Sequence, residues 1–255
     1  MDKVFIEKCS EYKNSKNALL SILSNFGCLK KINSKSKVLI KANLVSALPP
    51  EKGATTNYLL LSFLVEYLKY KGAKVVIGDS PGGQYNKSHL DHIYKITKMS
   101  ETGAELNYNF NIKNTLNNKA LFLKNFDYTS YIDDFDFKIN FCKLKTHAMM
   151  KMSASVKNLY GTIPGLIKSE YHYRFPNHDD FANMLIDLNE YFKFDLNIVD
   201  AIIGMEGNGP TMGNPKKIGS IIASTNPYAL DYICAKVINL NPNLVNTRVQ
   251  SDKRG

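Results

Sequence analysis

Two apolar pentads, KVLIK at 37–41 and KVVIG at 74–78, stand on either side of a helical stretch that is capped at Thr55 or Thr56 and closed by Gly72. Each pentad reads as a short buried strand. A helix joining two such strands implies a right-handed crossover and parallel pairing. The alternation continues in both directions. A strand at 4–6 and a helix at 15–26 precede the pair, and a helix at 88–98 follows it. Further on come a strand around Ile139, Phe141 and Cys142, a helix at 179–192, strands at 195–199 and 218–223, and a helix from Asn226-Pro227 to Val237. The expected fold is α/β: a layered, largely parallel sheet with helices on both faces. Between 103 and 134 only 120–123 resembles a strand, so a small antiparallel insertion or an irregular excursion is expected there. The last fifteen residues, NPNLVNTRVQSDKRG, are polar and suggest no final element. Residues 1–255 are expected to form one domain, with division into two lobes as the alternative.

Open parallel sheets bind ligands outside the carboxyl ends of their strands. Four loops in this chain follow strands and carry polar or glycine-rich residues. Lys41 and Asn43 follow the second strand, and Asp79-Ser80-Pro81-Gly82-Gly83 follows the third. Lys143, Lys145, Thr146 and His147 follow the central strand. Asp200 and then Glu206-Gly207-Asn208-Gly209-Pro210 follow a fourth. If these strands are parallel, the loops share one sheet edge.

The central stretch, FKINFCKLKTHAMMKMSASVKNLYGTIPG at 137–165, is the richest in chemistry. A helix is expected to end at Lys157 and Asn158. Lysine is a compact cation suited to phosphate or carboxylate, and His147 can donate to the same group or move a proton. Lys143, Lys145 and Lys157 equally fit a solvated surface, and His147 a helix cap; their position at a strand end favours a site. Asp79 to Gly83 can form either a nest of backbone N–H groups for an anion or a plain turn. Glu206 is a candidate base or metal ligand. His172 and His178 lie in a segment read as a lid, and their spacing is not that of a helical metal site, so no metal is assigned. The candidate catalytic residues are therefore His147, Glu206, His172 and Asp79. The candidate binding residues are Lys41, Asn43, Ser80, Lys143, Lys145, Thr146, Lys157, Asn158 and Asn208.

Composition narrows the function classes. The net charge of +10 suggests nucleic acid, but no five basic residues are consecutive and lysines run from Lys3 to Lys253. A distributed basic surface is the better reading, and nucleic acid is a disfavoured partner. The four cysteines, Cys9, Cys28, Cys142 and Cys234, form no Cys-x-x-Cys pair, which excludes a zinc ribbon or an iron–sulfur cluster held within these residues. Three of them sit among apolar neighbours and read as reduced and buried, as in a cytoplasmic protein. The N-terminus has no apolar signal core. The longest apolar run, 58–65, is too short for a bilayer, so no membrane contact is expected.

VLIKANLV, VVIGDSPGG, the central stretch, a later histidine, VDAIIGMEGNGP and NPYALD occur in an order that resembles the domain-of-unknown-function family 362. The likeness runs from about Val38 to Arg254. Its motif positions fall on Lys41, Asn43, Asp79, Lys143, Lys145, Thr146, His147, Lys157, Asn158, Gly161, His172, Asp200, Glu206, Gly207, Gly209, Pro210 and Asp231. Members are often joined to C-terminal ferredoxin-type domains with four-iron clusters. The resemblance therefore implies a 4Fe-4S cluster beyond residue 255, an electron-transfer partner, and a chain that stops short of it. Thr56 and Asn57 stand where members commonly have His or Pro. The arrangement is also loosely similar to the N-terminal domain of nickel-dependent lactate racemases. The function expected is binding of an anionic small molecule or nucleotide in a redox-linked reaction. A nucleic-acid module and a non-catalytic scaffold for an iron–sulfur partner are the alternatives.

Overall fold

A computed structural model describes residues 2–254. Strand β1 (Phe5–Lys8) leads into helix α1 (Ser15–Ser24), then β2 (Lys37–Lys41), α2 (Tyr58–Tyr70), β3 (Lys74–Gly78), α3 (Lys87–Ile96) and the two-residue β4 (Glu105–Leu106). Both pentads are strands over the expected residues. They pair in parallel, with Lys37 opposite Lys74 and Lys41 opposite Gly78. Asn57, rather than either threonine, caps α2 by accepting the Leu59 N–H, and Asn86 caps α3 in the same way.

A two-stranded antiparallel sheet follows, β5 (Ile112–Leu116) with β6 (Asn125–Thr129), so an antiparallel insertion does occupy this region. It does not use 120–123, which is irregular with a bend at 121–122. The backbone N–H groups of Leu121, Phe122 and Leu123 all donate to the Asp187 carboxylate. β5 is mostly exposed, so its sequence, IKNTL, carries little of the apolar alternation that marks a half-buried strand.

The central strand β7 (Phe137–His147) turns back as a hairpin through β8 (Lys151–Ser153), and the single turn α4 (Ser155–Asn158) comes next. The helix expected to end at Lys157 and Asn158 is thus a hairpin and one helical turn. Then come α5 (Ile167–Arg174), α6 (His178–Phe192), β9 (Leu196–Glu206), β10 (Asn214–Ser224), α7 (Pro227–Val237) and α8 (Asn246–Arg254). β9 and β10 pair as a long antiparallel ribbon, which extends both beyond their apolar centres. α8 forms where no element was expected. It buries only Thr247 and Gln250 and is tied to α6 by Arg254, which pairs with Asp187 at 2.7 Å, so it leaves no apolar period to read.

The main sheet runs β1-β10-β9-β7-β2-β3-β4, with β8 attached to β7. From β9 to β4 the pairs are parallel, and β10 and β1 add an antiparallel edge. Side chains alternate across it. Val38, Ile40, Ile139 and Phe141 pack against α1, α2 and α3, and Leu39, Cys142 and Leu144 face α4, α6 and α7. Cys9, Cys142 and Cys234 are buried free thiols, and Cys28 is half-buried. Because β9, β7, β2 and β3 are neighbours running the same way, their carboxyl ends and the loops beyond them lie on one edge.

Candidate functional site

Beneath that edge the sheet holds two buried ion pairs. Lys41 Nζ lies 2.6 Å from Asp79 Oδ1, and Lys143 Nζ lies 2.9 Å from Asp200 Oδ2. Each carboxylate is further satisfied. Asp79 accepts from the Leu44 and Ser80 N–H groups, and Asp200 from Tyr12 Oη and the Asn57 and Ile202 N–H groups. Buried charges persist only with such complete pairing. A polar chain runs from the first pair across the sheet. Asn158 accepts from Lys41 and donates to Asn140 at 2.7 Å. Asn140 donates to Asn197 and Ser155, whose N–H donates to Asp231. Asp231 thereby closes the amino end of α4, and burial pushes its carboxyl up to about 7.

Gly161 sits against the first pair. A Cβ there would collide with Asp79 Oδ1 and lie 2.5 Å from Lys41 Nζ. Gly161→Ala is therefore expected to lower stability by about 1–3 kcal/mol through overpacking, read as a reduced urea midpoint. Gly27→Ala, where a Cβ would meet nothing within 4 Å, should leave the midpoint in place.

Above this floor opens a cavity of about 200 Å³. It is lined by Asn43, Asp79, Ser80, Lys143, Lys145, His147, Lys157, Asn158 and His172 from the expected set, and by Ser153, Tyr160, Gly161, Lys168 and Pro210 besides. Lys41 lies just behind it, spent on Asp79. Besides Lys41, three candidates are absent from the lining. Thr146 donates to the Gly207 carbonyl at 2.8 Å, Glu206 pairs with Lys216 at 3.2 Å on the exposed ribbon, and Asn208 stays in the loop beyond. Thr56 and Asn57 are structural here: Thr56 Oγ1 donates to the Phe141 carbonyl, and Asn57 caps α2.

The cations on the cavity are unusual in their company. Lys145, Lys157 and Lys168 have no carboxylate within 4.0 Å among the described residues. Lys145 is buried and donates only to the Ala54 carbonyl, at 2.7 Å. Lys157 is half-buried, with Nζ 4.6 Å above the Tyr160 ring and 5.6 Å from that of Phe181, and makes no side-chain hydrogen bond among the described residues. Lys168 donates to the Ser80 and Ile163 carbonyls, both at 2.6 Å. Desolvation and mutual repulsion drive all three down: Lys145 to about 7, Lys168 to about 7 against some help from Asp79, and Lys157 to about 8.

The two histidines are unlike. His147 Nδ1 accepts the Met150 N–H at 3.1 Å, so in the neutral ring the proton belongs on Nε2. Burial, then Lys157, Lys145 and His172, push it down to about 3. His147 is therefore a neutral donor rather than a base near neutral pH. His172 lies on helix α5, not on a loop, and is exposed. Its ring stacks on Phe181 at 4.6 Å, and burial and Lys157 lower its pKa. Lys168 went unnoticed in sequence because nothing in GLIKSEY distinguishes it from a surface lysine; its nearness to Pro164 and Gly165 was the one available signal.

Among the described residues no three His, Cys, Asp or Glu side chains group in a way that would hold a metal, and the cysteines do not fit an iron–sulfur cluster. No helix is long and apolar enough to cross a membrane.

The family model described as "Domain of unknown function (DUF362)" matches residues 38–236. A thylakoid-associated protein of Synechocystis sp. is 28% identical over 230 residues, covering 86% of this chain and 68% of that protein. Among solved structures, the lactate racemase apoprotein from Thermoanaerobacterium thermosaccharolyticum matches with a TM-score of 0.53 at 10% identity. The match covers 89% of this chain and 55% of the racemase chain, so this chain spans about half of that protein and shares its fold.

Proposed function

The chain belongs to the domain-of-unknown-function family 362, and from that premise we propose that it binds a small organic anion at the carboxyl edge of its sheet. One observation carries the reading. Three lysines without carboxylate partners among the described residues surround a cavity lined by one acid, Asp79, which is already committed to Lys41, as the underlying Asp200 is to Lys143. Desolvated cations without counter-charge cost stability, and an anion supplies what they lack. A space of about 200 Å³ suits a phosphate group or a short carboxylic acid, and takes a nucleotide only by its phosphate. Lys157 and the Nε2–H of His147 have donors to spare, and Asn43 Oδ1, buried without a partner, accepts from a ligand hydroxyl or N–H. Asp79 and Lys143 hold the floor. In this reading the chain works in the cytoplasm as the ligand-binding part of a redox-linked enzyme, and a ferredoxin-type domain serves as its electron partner.

Sulfate tests the site because it keeps its double charge across the neutral range. An anion raises the pKa of the lysines it touches, so binding is strongest where they are already protonated and weakens as pH rises through about 7 and 8. Sulfate should raise the melting temperature at pH near the lower value and much less two units above it, while chloride at equal ionic strength does neither. Equal shifts from sulfate and chloride would sink the proposal.

A further inference from the structure

We propose that the Lys145 amine condenses with the carbonyl of a small 2-oxo acid whose carboxylate rests against Lys157, so that the site holds its ligand as an imine. This rests on the anion site above and adds the class of ligand.

The five lysines in and just behind the cavity are not equivalent. Lys41 and Lys143 are locked to carboxylates at 2.6 and 2.9 Å and are committed to them. Lys168 is spent on carbonyl oxygens. Lys157 lies over an aromatic face that favours its cationic form and is half-buried. Lys145 differs from all of these. It is 2% exposed and has a single acceptor, the Ala54 carbonyl. An ammonium there would leave two N–H donors buried without partners. A neutral amine donates one N–H to Ala54 and keeps its lone pair, and burial, with repulsion from Lys157 and Lys143, favours that form.

The surroundings suit the addition. Lys145 and His147 alternate on β7 and so share one side of the strand. The Nε2–H of His147 is free to donate to the oxygen that develops when the amine adds, and Asn43 Oδ1 is free to accept that oxygen's proton. The lone pair of Lys145 forms a C–N bond to the carbonyl carbon. The π pair moves to oxygen, which takes one nitrogen proton to give a carbinolamine. The C–O bond then breaks, oxygen leaves as water with the second nitrogen proton, and C=N forms. No oxidant or reductant is needed.

The test is reductive trapping on the full chain. Pyruvate and cyanoborohydride are added near neutral pH, and 1-carboxyethyl adducts are mapped by peptide mass spectrometry. Lys145 should carry roughly ten-fold or more adduct than the exposed Lys30 and Lys95, because a far larger share of it is neutral. Lys157→Met should lower the Lys145 adduct about ten-fold and leave the surface adducts unchanged, with a melting profile confirming that the variant is folded. Adduct at Lys145 no higher than at Lys30 and Lys95, in protein that still responds to sulfate, would overturn the imine and leave the anion site standing. Adduct at Lys145 in protein blind to sulfate would keep the nucleophile and overturn the anion site.

Discussion

Asp200→Ala is expected to destabilise the protein by about 3–5 kcal/mol, because it strands a buried lysine. Lys143 and Asp200 are both fully buried and stand opposite each other on neighbouring strands. Removing the carboxylate leaves the ammonium with Tyr12 Oη, 2.6 Å away, as its one remaining partner, and also frees the Asn57 N–H at the start of α2. For a chain of this size such a loss lowers the melting temperature on the order of 10 °C. Lys143→Met combined with Asp200→Asn should recover much of it, since no charge is then buried, the amide oxygen still accepts from the Asn57 N–H, and the amide NH2 can donate to Tyr12 Oη. Urea unfolding measures both. An Asp200→Ala midpoint equal to the wild type would mean that the pair does not hold the floor of the cavity.

Lys157→Met has the opposite profile, and the contrast separates floor from site. The Lys157 amine is held near two aromatic rings with no acceptor, and its charge is opposed by burial and by Lys41. Replacing it removes an unfavourable charge, so stability should hold or rise slightly. Sulfate affinity should fall about 10–100-fold, the range for one charge-assisted hydrogen bond of about 1.5–3 kcal/mol. A binding residue kept at a cost to the empty fold is the usual mark of a functional position. Calorimetric titration together with a melting curve reads both quantities. Unchanged affinity would remove Lys157 from the site.

Much of this was legible in sequence where the signal is local. KVLIK and KVVIG are strands at the expected residues, and the crossover between them places their loops on one edge. Lys143, Lys145 and His147, spaced two apart, share one side of β7 as strand periodicity requires. What escaped was long-range. Asn140, Ser155 and Asn197 join Asp231 only in three dimensions, and each of the three looks like an ordinary polar residue in its own segment. Lys168 reaches the cavity because α5 folds back over Ser80. Glu206 misled for the same reason: its partner Lys216 lies across a ribbon whose antiparallel pairing no local pattern announces. α8 and β5 are held by polar contacts and exposed backbone pairing, so apolar periodicity could not reveal them.

In the proposed reading the cavity lysines wait, partly deprotonated, for an anion. Sulfate titrated calorimetrically in two buffers of different ionisation enthalpy, one unit above the value of about 7 that Lys145 and Lys168 share, measures the protons that move on binding. Net uptake on the order of one proton per sulfate is expected, shrinking toward zero a pH unit below that value, where the amines are already charged. Sulfate binding without proton uptake at the higher pH would contradict it.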